Sequence, residues 1–200
     1  MKISILLIVL LGIFSCTANA QARFGARLAL TESTISSSTS SDTKLRMGFS
    51  AGAFSQIEIG KRFLARPEVS YLLKGARYEI PGTSDSKQAF HNLSIPLLMG
   101  YRIGQKISVF LGPQVDFLVK AKLKTSNGTI DNKSIYKTTE FSGVIATSYQ
   151  LNNKLGIDFR YTQGLSPILE IEVQDGFGNI TEVIKRKTYV FQLGLTYLFK

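Results

Sequence analysis

The last segment of the chain, TYVFQLGLTYLFK, places large apolar side chains at every second position. Side chains along a β-strand point alternately to opposite faces, so this spacing collects the apolar residues on one face. That face would carry Tyr189, Phe191, Leu193, Leu195, Tyr197 and Phe199. Such a face has to be covered, either by a second sheet in a water-soluble protein or by lipid in a membrane.

The same alternation recurs along the chain and predicts eight strands, at residues 22–31, 45–59, 63–74, 91–103, 107–122, 141–151, 155–162 and 188–200. Tight turns that begin at Gly60, Gly104 and Asn152 alternate with long polar segments. An even strand number with turns alternately short and long is typical of bacterial outer-membrane barrels. We therefore predict an all-β fold, an eight-stranded antiparallel up-and-down transmembrane β-barrel with short periplasmic turns and long extracellular loops.

Strand length and aromatic placement favour lipid over a second sheet. Several predicted strands exceed the 9 to 11 or so residues that a tilted strand needs to cross a bilayer. One set of aromatic residues lies close to the tight turns or the chain end and predicts a periplasmic interface girdle: Tyr101, Tyr149, Tyr197 and Phe199. A second set predicts the outer girdle: Tyr71, Phe117, Tyr161 and Phe191. A soluble lipocalin-like barrel with an aromatic core is the alternative.

Residues 1–20 have the pattern of a secretory signal peptide. Lys2 precedes the apolar run 3–14, and Ala18-Asn19-Ala20 is a small-x-small cleavage signal. An N-terminal membrane anchor and a lipoprotein signal at Cys16 are the alternatives. We predict a signal peptide at 1–20 and an outer-membrane barrel domain at 21–200, exported to the outer membrane of a Gram-negative bacterium.

Composition restricts the chemistry of the mature chain. Cys16 is the only cysteine, so cleavage after Ala20 leaves neither a disulfide nor a cysteine ligand for a metal. Loss of Lys2 lowers the formal net charge from +10 to +9. An exported basic protein rarely meets nucleic acid, so we expect an anionic membrane surface as the partner and no nucleic acid, cofactor or metal.

Charged residues with inward parity predict a filled lumen. An eight-stranded barrel has an interior just wide enough to be packed with side chains, and buried charges need partners there. The residues predicted to form a structural charge network are Arg66, Glu68, Arg102, Asp116, Asp158 and Arg160, with Arg46 also inward. We expect the three carboxylates to pair with the arginines. A proton or small-ion path is the alternative.

Lysines cluster near the third long loop and suggest anion contact at the outer rim. They are Lys120, Lys122, Lys124, Lys133 and Lys137, of which Lys120 and Lys122 have inward parity. Basic groups at this level can hold the phosphates of lipopolysaccharide through charge-assisted hydrogen bonds. Loop charges that only aid solubility are the alternative.

Catalysis is not expected. Some small outer-membrane barrels modify lipid A by Ser/His chemistry, and His91 is the single histidine of this chain. Its odd parity points toward lipid, whereas Ser94 has the opposite parity and points inward. A nucleophile has to lie within hydrogen-bond reach of its base, so this pair does not predict an enzyme.

Four segments carry a family resemblance: ARPEVSYLLKGARY, HNLSIPLLMGYRIG, FLGPQVDFLVKAK and GIDFRYTQGLSPI. In order and spacing they resemble the PorT-like outer-membrane β-barrel family of Bacteroidota-type bacteria. The resemblance implies an eight-stranded barrel, and one member of that family is tied to a protein-secretion system.

These patterns predict a small outer-membrane barrel with a structural or surface-interaction role through its extracellular loops, not a general-diffusion pore. Its expected partners are outer-membrane lipids, lipopolysaccharide among them, the barrel-assembly machinery and a surface or secretion partner. A component of a secretion or surface-assembly machine, a narrow pore and a soluble carrier are the alternatives.

Overall fold

A computed structural model of the chain describes residues 22–37, 43–78, 86–126, 128–174 and 180–199. This part of the chain is almost entirely β-structure. Its strands are β1 (Ala22–Ser37), β2 (Thr43–Lys44), β3 (Arg46–Ile59), β4 (Phe63–Tyr78), β5 (Ser86–Ile103), β6 (Ile107–Thr125), β7 (Gly128–Asp131), β8 (Thr139–Gln150), β9 (Leu155–Gly164), β10 (Leu169–Gln174) and β11 (Ile180–Leu198). The predicted signal peptide, residues 1–20, lies outside the described residues.

Eight long strands close into a barrel. They follow the order β1-β3-β4-β5-β6-β8-β9-β11, and β1 pairs with β11 to complete the ring. Neighbouring strands are antiparallel throughout, and the closing register runs from Gly25 opposite Leu198 to Ser37 opposite Arg186. The predicted fold class is confirmed. In the described ranges, no helix has the length and apolarity needed to cross a bilayer.

Short turns join the strands at one end of the barrel. Residues 60–62 connect β3 to β4, residues 104–106 connect β5 to β6, and residues 151–154 connect β8 to β9. Gly60 and Gly104 have φ values of 69° and 68°, in the left-handed region that glycine enters without steric cost. The three predicted tight turns are confirmed.

Three additional strands extend the sheet at the opposite end. Two-residue β2 pairs with the end of β4, and β7 folds back on the end of β6. Strand β10 pairs with the first part of β11, where Leu169 lies opposite Arg186 and Ile171 opposite Ile184. The long polar segments between barrel strands therefore include ordered β-structure above the barrel wall.

The two faces of the wall differ sharply in polarity. Outward apolar residues such as Leu28, Leu111 and Leu193 are 66%, 66% and 57% exposed. The inward residues of the barrel strands are mostly polar or charged, and Arg66 and Arg160 are each only 2% exposed. This inside-out arrangement is the one that a lipid-embedded barrel requires.

A β-bulge in β6 shifts its alternation by one residue. His91 of β5 pairs with Lys120, whereas the next residue, Asn92, pairs with Leu118, so Val119 has no partner of its own. A bulge of this kind places two residues of one strand opposite one residue of its neighbour and reverses the faces beyond it.

The bulge corrects the predicted orientation of two lysines. Below it the even-numbered Asp116 is buried in the lumen, but above it the odd-numbered Ala121 is buried instead. Lys120, Lys122 and Lys124 are consequently exposed on the outer face. The inward parity predicted for Lys120 and Lys122 is wrong because simple alternation does not count the additional residue.

Candidate functional site

The centre of the lumen brings together four of the predicted charged residues. Arg160 donates two parallel hydrogen bonds to Glu68, with Nη1–Oε2 and Nη2–Oε1 distances of 3.0 and 2.9 Å. The Nε atom of Arg66 lies 3.0 Å from Glu68 Oε1, and its guanidinium carbon lies 4.0 Å from the centre of the Phe54 ring. Asp158 Oδ2 lies 3.6 Å from Arg160 Nη2. This central cluster links β4 to β9 across the interior.

Arg27 joins the central cluster from β1, although the sequence did not select it. Its Nε atom lies 2.9 Å from both carboxylate oxygens of Asp158, and its Nη1 atom donates to Gln192 Oε1 at 2.9 Å. Gly194 of β11 lies between the two charged residues. A Cβ atom there would come within 2.5 Å of Asp158 Oδ1 and 3.1 Å of Arg27 Nη2, so glycine leaves the space in which they meet.

An upper cluster surrounds Lys74, a second residue that was not predicted to pair. Lys74 Nζ lies 2.7 Å from Asp116 Oδ2, 2.5 Å from Glu140 Oε2 and 3.3 Å from Thr188 Oγ1. The other Asp116 oxygen accepts a 2.8 Å hydrogen bond from Gln114. Asp116 therefore pairs with a lysine and not with one of the predicted arginines, because β4 places Lys74 beside it.

The two clusters balance each other in charge. Three arginines and two carboxylates give the central cluster a formal charge of +1, and one lysine and two carboxylates give the upper cluster −1. All eight charged side chains belong to residues no more than 4% exposed: Arg27, Arg66, Glu68, Lys74, Asp116, Glu140, Asp158 and Arg160. A neutral set of close ion pairs is the arrangement that makes buried charge tolerable.

Arg102 lies apart from this network, which corrects its predicted place. It is one residue from the end of β5 at the periplasmic rim, where its Nη2 atom lies 2.7 Å from Glu58 Oε1. Arg23 Nη2 contacts the same oxygen at 3.0 Å. These half-buried residues line an open vestibule of about 300 Å³ together with the turn residues Lys106 and Asn152.

An apolar lid closes the extracellular end of the lumen. Its buried residues are Ile35, Ala76, Phe90, Leu118, Ala121 and Ile168. Tyr136, from the segment between β7 and β8, packs edge-on against Phe90 with a centroid distance of 4.7 Å. Burial of its hydroxyl, with Tyr78 nearby, raises the pKa of Tyr136 to about 12. The cavity between the lid and Lys74 measures about 10 Å³, which is room for about one water molecule.

Exposed aromatic residues lie at two levels of the outer surface. The residues predicted for the periplasmic interface, Tyr101, Tyr149, Tyr197 and Phe199, are 39%, 43%, 41% and 49% exposed near the tight turns. At the other level the ring centroids of Tyr161 and Phe191 lie 4.9 Å apart, and those of Phe49 and Tyr71 lie 5.6 Å apart. Aromatic residues at two levels of the outer surface are typical of outer-membrane barrels.

The five predicted anion-contact lysines fall into two groups. Lys120, Lys122 and Lys124 follow one another along the outer face of β6. Lys133 begins the 3-10 turn Lys133–Ile135, and Lys137 Nζ forms a 2.8 Å ion pair with Glu170 of β10. Only the first group forms a continuous cationic surface on the barrel wall.

His91 and Ser94 lie on opposite faces of β5. The Nδ1 atom of His91 shares a hydrogen bond with the hydroxyl of Tyr71 on the outside of the wall. Ser94 is 1% exposed inside the lumen. The two side chains therefore do not form a nucleophile–base pair. Among the described residues, no three His, Cys, Asp or Glu side chains form a group that could hold a metal ion.

The chain was compared with known protein families and structures, because its closed wall has an apolar exterior and an ionic interior, as outer-membrane barrels do. The outer membrane protein beta-barrel domain family matches residues 17–170, more than half of the 200-residue chain. The chain belongs to this family. This family and the fold indicate the outer membrane of a Gram-negative bacterium as its location.

Two solved outer-membrane proteins have a similar fold. Neisserial surface protein A (NspA) is 15% identical with a TM-score of 0.56, over 88% of this barrel chain and 97% of NspA. Ail, the attachment invasion locus protein of Yersinia pestis, is also 15% identical with a TM-score of 0.53, over 89% of this chain and 99% of Ail. At this identity the likeness concerns the fold alone. No curated protein sequence matches the chain.

Proposed function

We propose that this outer-membrane barrel is a closed protein that acts through its extracellular surface and does not pass solutes. The observation that carries the proposal is the doubly blocked lumen. The central ion network spans the interior between β1, β4 and β9, and the apolar lid around Phe90 covers the extracellular end. Opening a path would separate buried ion pairs, which costs on the order of 3 to 5 kcal/mol.

A conductance measurement tests the closed lumen. We expect the refolded mature chain, inserted in a planar lipid bilayer, to give no current above that of the bare membrane. A general-diffusion porin added to the same bilayer is the positive control. Sustained current steps that depend on the amount of this protein would contradict the proposal and favour the narrow-pore alternative.

The ribbon of β10 and β11 is the element best suited to contact a protein partner. Strand β10 ends the sheet order, with β11 as its one strand neighbour in the described part of the chain. Ile171 and Val173 are 41% and 38% exposed on it. An exposed strand edge can accept an additional strand from another protein. The PorT-like resemblance supports a partner in a secretion or surface-assembly machine.

Photocrosslinking in cells tests the ribbon. A photoreactive residue in place of Ile171 is expected to give a reproducible protein adduct. The same residue in place of Ile130 on β7, which is 57% exposed at the same end of the barrel, is the matched control and is expected to give none. Identical adducts at both positions, or none at Ile171, would contradict a ribbon-specific partner.

We propose no catalytic activity. The outward His91 and the inward Ser94 support this part of the proposal, since acyl-transfer chemistry needs the two side chains within hydrogen-bond reach.

A further inference from the structure

A row of cations crosses four neighbouring strands on the outer face of the barrel. Lys44 of β2 lies opposite Arg77 of β4, Arg77 lies opposite Lys87 of β5, and Lys87 lies opposite Lys124 of β6. Directly opposed residues of an antiparallel pair project to the same face. One line of directly paired residues across β2, β4, β5 and β6 therefore carries four positive charges.

Two further lysines extend this row down toward the membrane. Because of the β6 bulge, Lys122 and Lys120 point outward below Lys124, and Lys120 lies opposite His91. The next outward pair below is Leu93 and Phe117, whose side chains are 41% and 39% exposed. At a rise of about 3.3 Å per residue, Lys120 and Lys124 are separated by roughly 13 Å. The cationic surface thus begins where the apolar belt ends.

In the described part of the chain, the strands that carry Lys87, Lys120, Lys122 and Lys124 present no carboxylate on the outer face. The acidic residues within β4 and β6 are Glu68 and Asp116, both buried in the lumen, and β5 contains none. Asp131 of β7 lies opposite Lys122, and its Oδ1 atom accepts a 3.0 Å hydrogen bond from the Lys133 amide. Among the described residues of β5 and β6, the outward charges are therefore all positive.

We propose that the surface formed by Lys87, Lys120, Lys122 and Lys124 binds the phosphate groups of lipid A in the outer leaflet. The acyl chains of the glycolipid lie against the apolar belt around Leu93 and Phe117. Its phosphates contact the cations of the first three outward residue pairs above this belt. Phosphate oxygens accept strong charge-assisted hydrogen bonds from Lys and Arg. The inference goes beyond the proposed function and does not depend on a closed lumen.

The test compares two triple variants with equal loss of charge. In the first, Lys87→Gln, Lys122→Gln and Lys124→Gln neutralise the cationic surface. In the matched control, Lys61→Gln, Lys106→Gln and Lys154→Gln neutralise exposed lysines of the three periplasmic turns. Each refolded full chain is titrated in neutral detergent micelles with bisphosphorylated lipid A and with its dephosphorylated form.

We expect the unmodified chain and the turn control to prefer the phosphorylated lipid. Attraction of one Lys or Arg to an anionic lipid surface corresponds to about a fivefold change in binding, so three substitutions predict a loss on the order of 100-fold. The preference should also weaken with added salt. Should the first triple variant fail to refold, Lys122→Gln alone is expected to weaken binding about fivefold.

Four results would overturn the inference. These are equal affinity for the two forms of lipid A, equal loss in the turn control, equal affinity for phosphatidylglycerol in the same micelles, and displacement of lipid A by inorganic phosphate at comparable concentration. The third result would indicate general attraction to anionic lipid, and the fourth a site for the free ion. None of them bears on conductance.

Discussion

Lys74→Met is expected to destabilise the barrel by about 3 to 5 kcal/mol, the cost of removing one partner from a buried ion pair. Lys74 Nζ contacts Asp116 at 2.7 Å and Glu140 at 2.5 Å, and the side chains of all three residues are at most 5% exposed. Methionine fills a similar volume but leaves two adjacent carboxylates without a cation. Urea unfolding of the refolded chain in lipid vesicles measures the loss.

Lys137→Met is the matched control for this substitution. Lys137 also forms an ion pair, 2.8 Å from Glu170, but the two side chains are 45% and 37% exposed. An ion pair in contact with water contributes about 1 kcal/mol or less. A loss for Lys74→Met no larger than that of the control would show that the upper cluster is hydrated and not part of a packed lumen.

A neutral version of the upper cluster separates charge from packing. In Lys74→Met with Asp116→Asn and Glu140→Gln, no charge remains to be stabilised. Replacing a complete buried ion cluster by uncharged residues of similar volume is often close to neutral. We expect the triple variant to recover most of the stability lost by Lys74→Met, whereas equal instability would point to lost shape rather than unpaired charge.

The wall of the barrel was predictable because a strand has only two faces. Alternation over many residues identified the outward set that includes Leu28, Leu111 and Leu193, and glycine at positions 60 and 104 marked the tight turns. Which residues meet inside is a different problem, since it depends on the register between strands and on closure of the ring. Arg27 was not selected from the sequence, because only the β1–β11 pairing, with Gly194 between, brings it to Asp158.

The cationic surface shows where alternation fails. Counting by twos through Val119 sends Lys120 and Lys122 into the lumen, where the structure has Ala121 instead. A bulge adds one residue without a composition signal of its own, so the reversal could not be read from the sequence. Anion contact by these lysines stays a prediction, and the face that they share with Lys87 became visible only from the strand pairing.

Leu193→Arg is expected to cost about 2 to 4 kcal/mol in a bilayer, the penalty for a cation on the lipid face near the midplane of a barrel. Leu193 is 57% exposed on β11, four residues from both Tyr189 and Tyr197 on the same outward face. Leu151→Arg is the control, because Leu151 is 46% exposed in the periplasmic turn 151–154. Near an interface the same change costs only about 0 to 1 kcal/mol.

The difference between these two variants measures the solvent of the outer face directly. On a water-exposed surface both substitutions would change the free energy of unfolding by less than about 0.5 kcal/mol. In lipid, the arginine at position 193 has to reach an interface about half a membrane thickness away, whereas the one at 151 is already in water. Unfolding in vesicles of two thicknesses sharpens the test: the cost at position 193 should grow with thickness, because the charge then lies farther from water, and the cost at position 151 should stay constant.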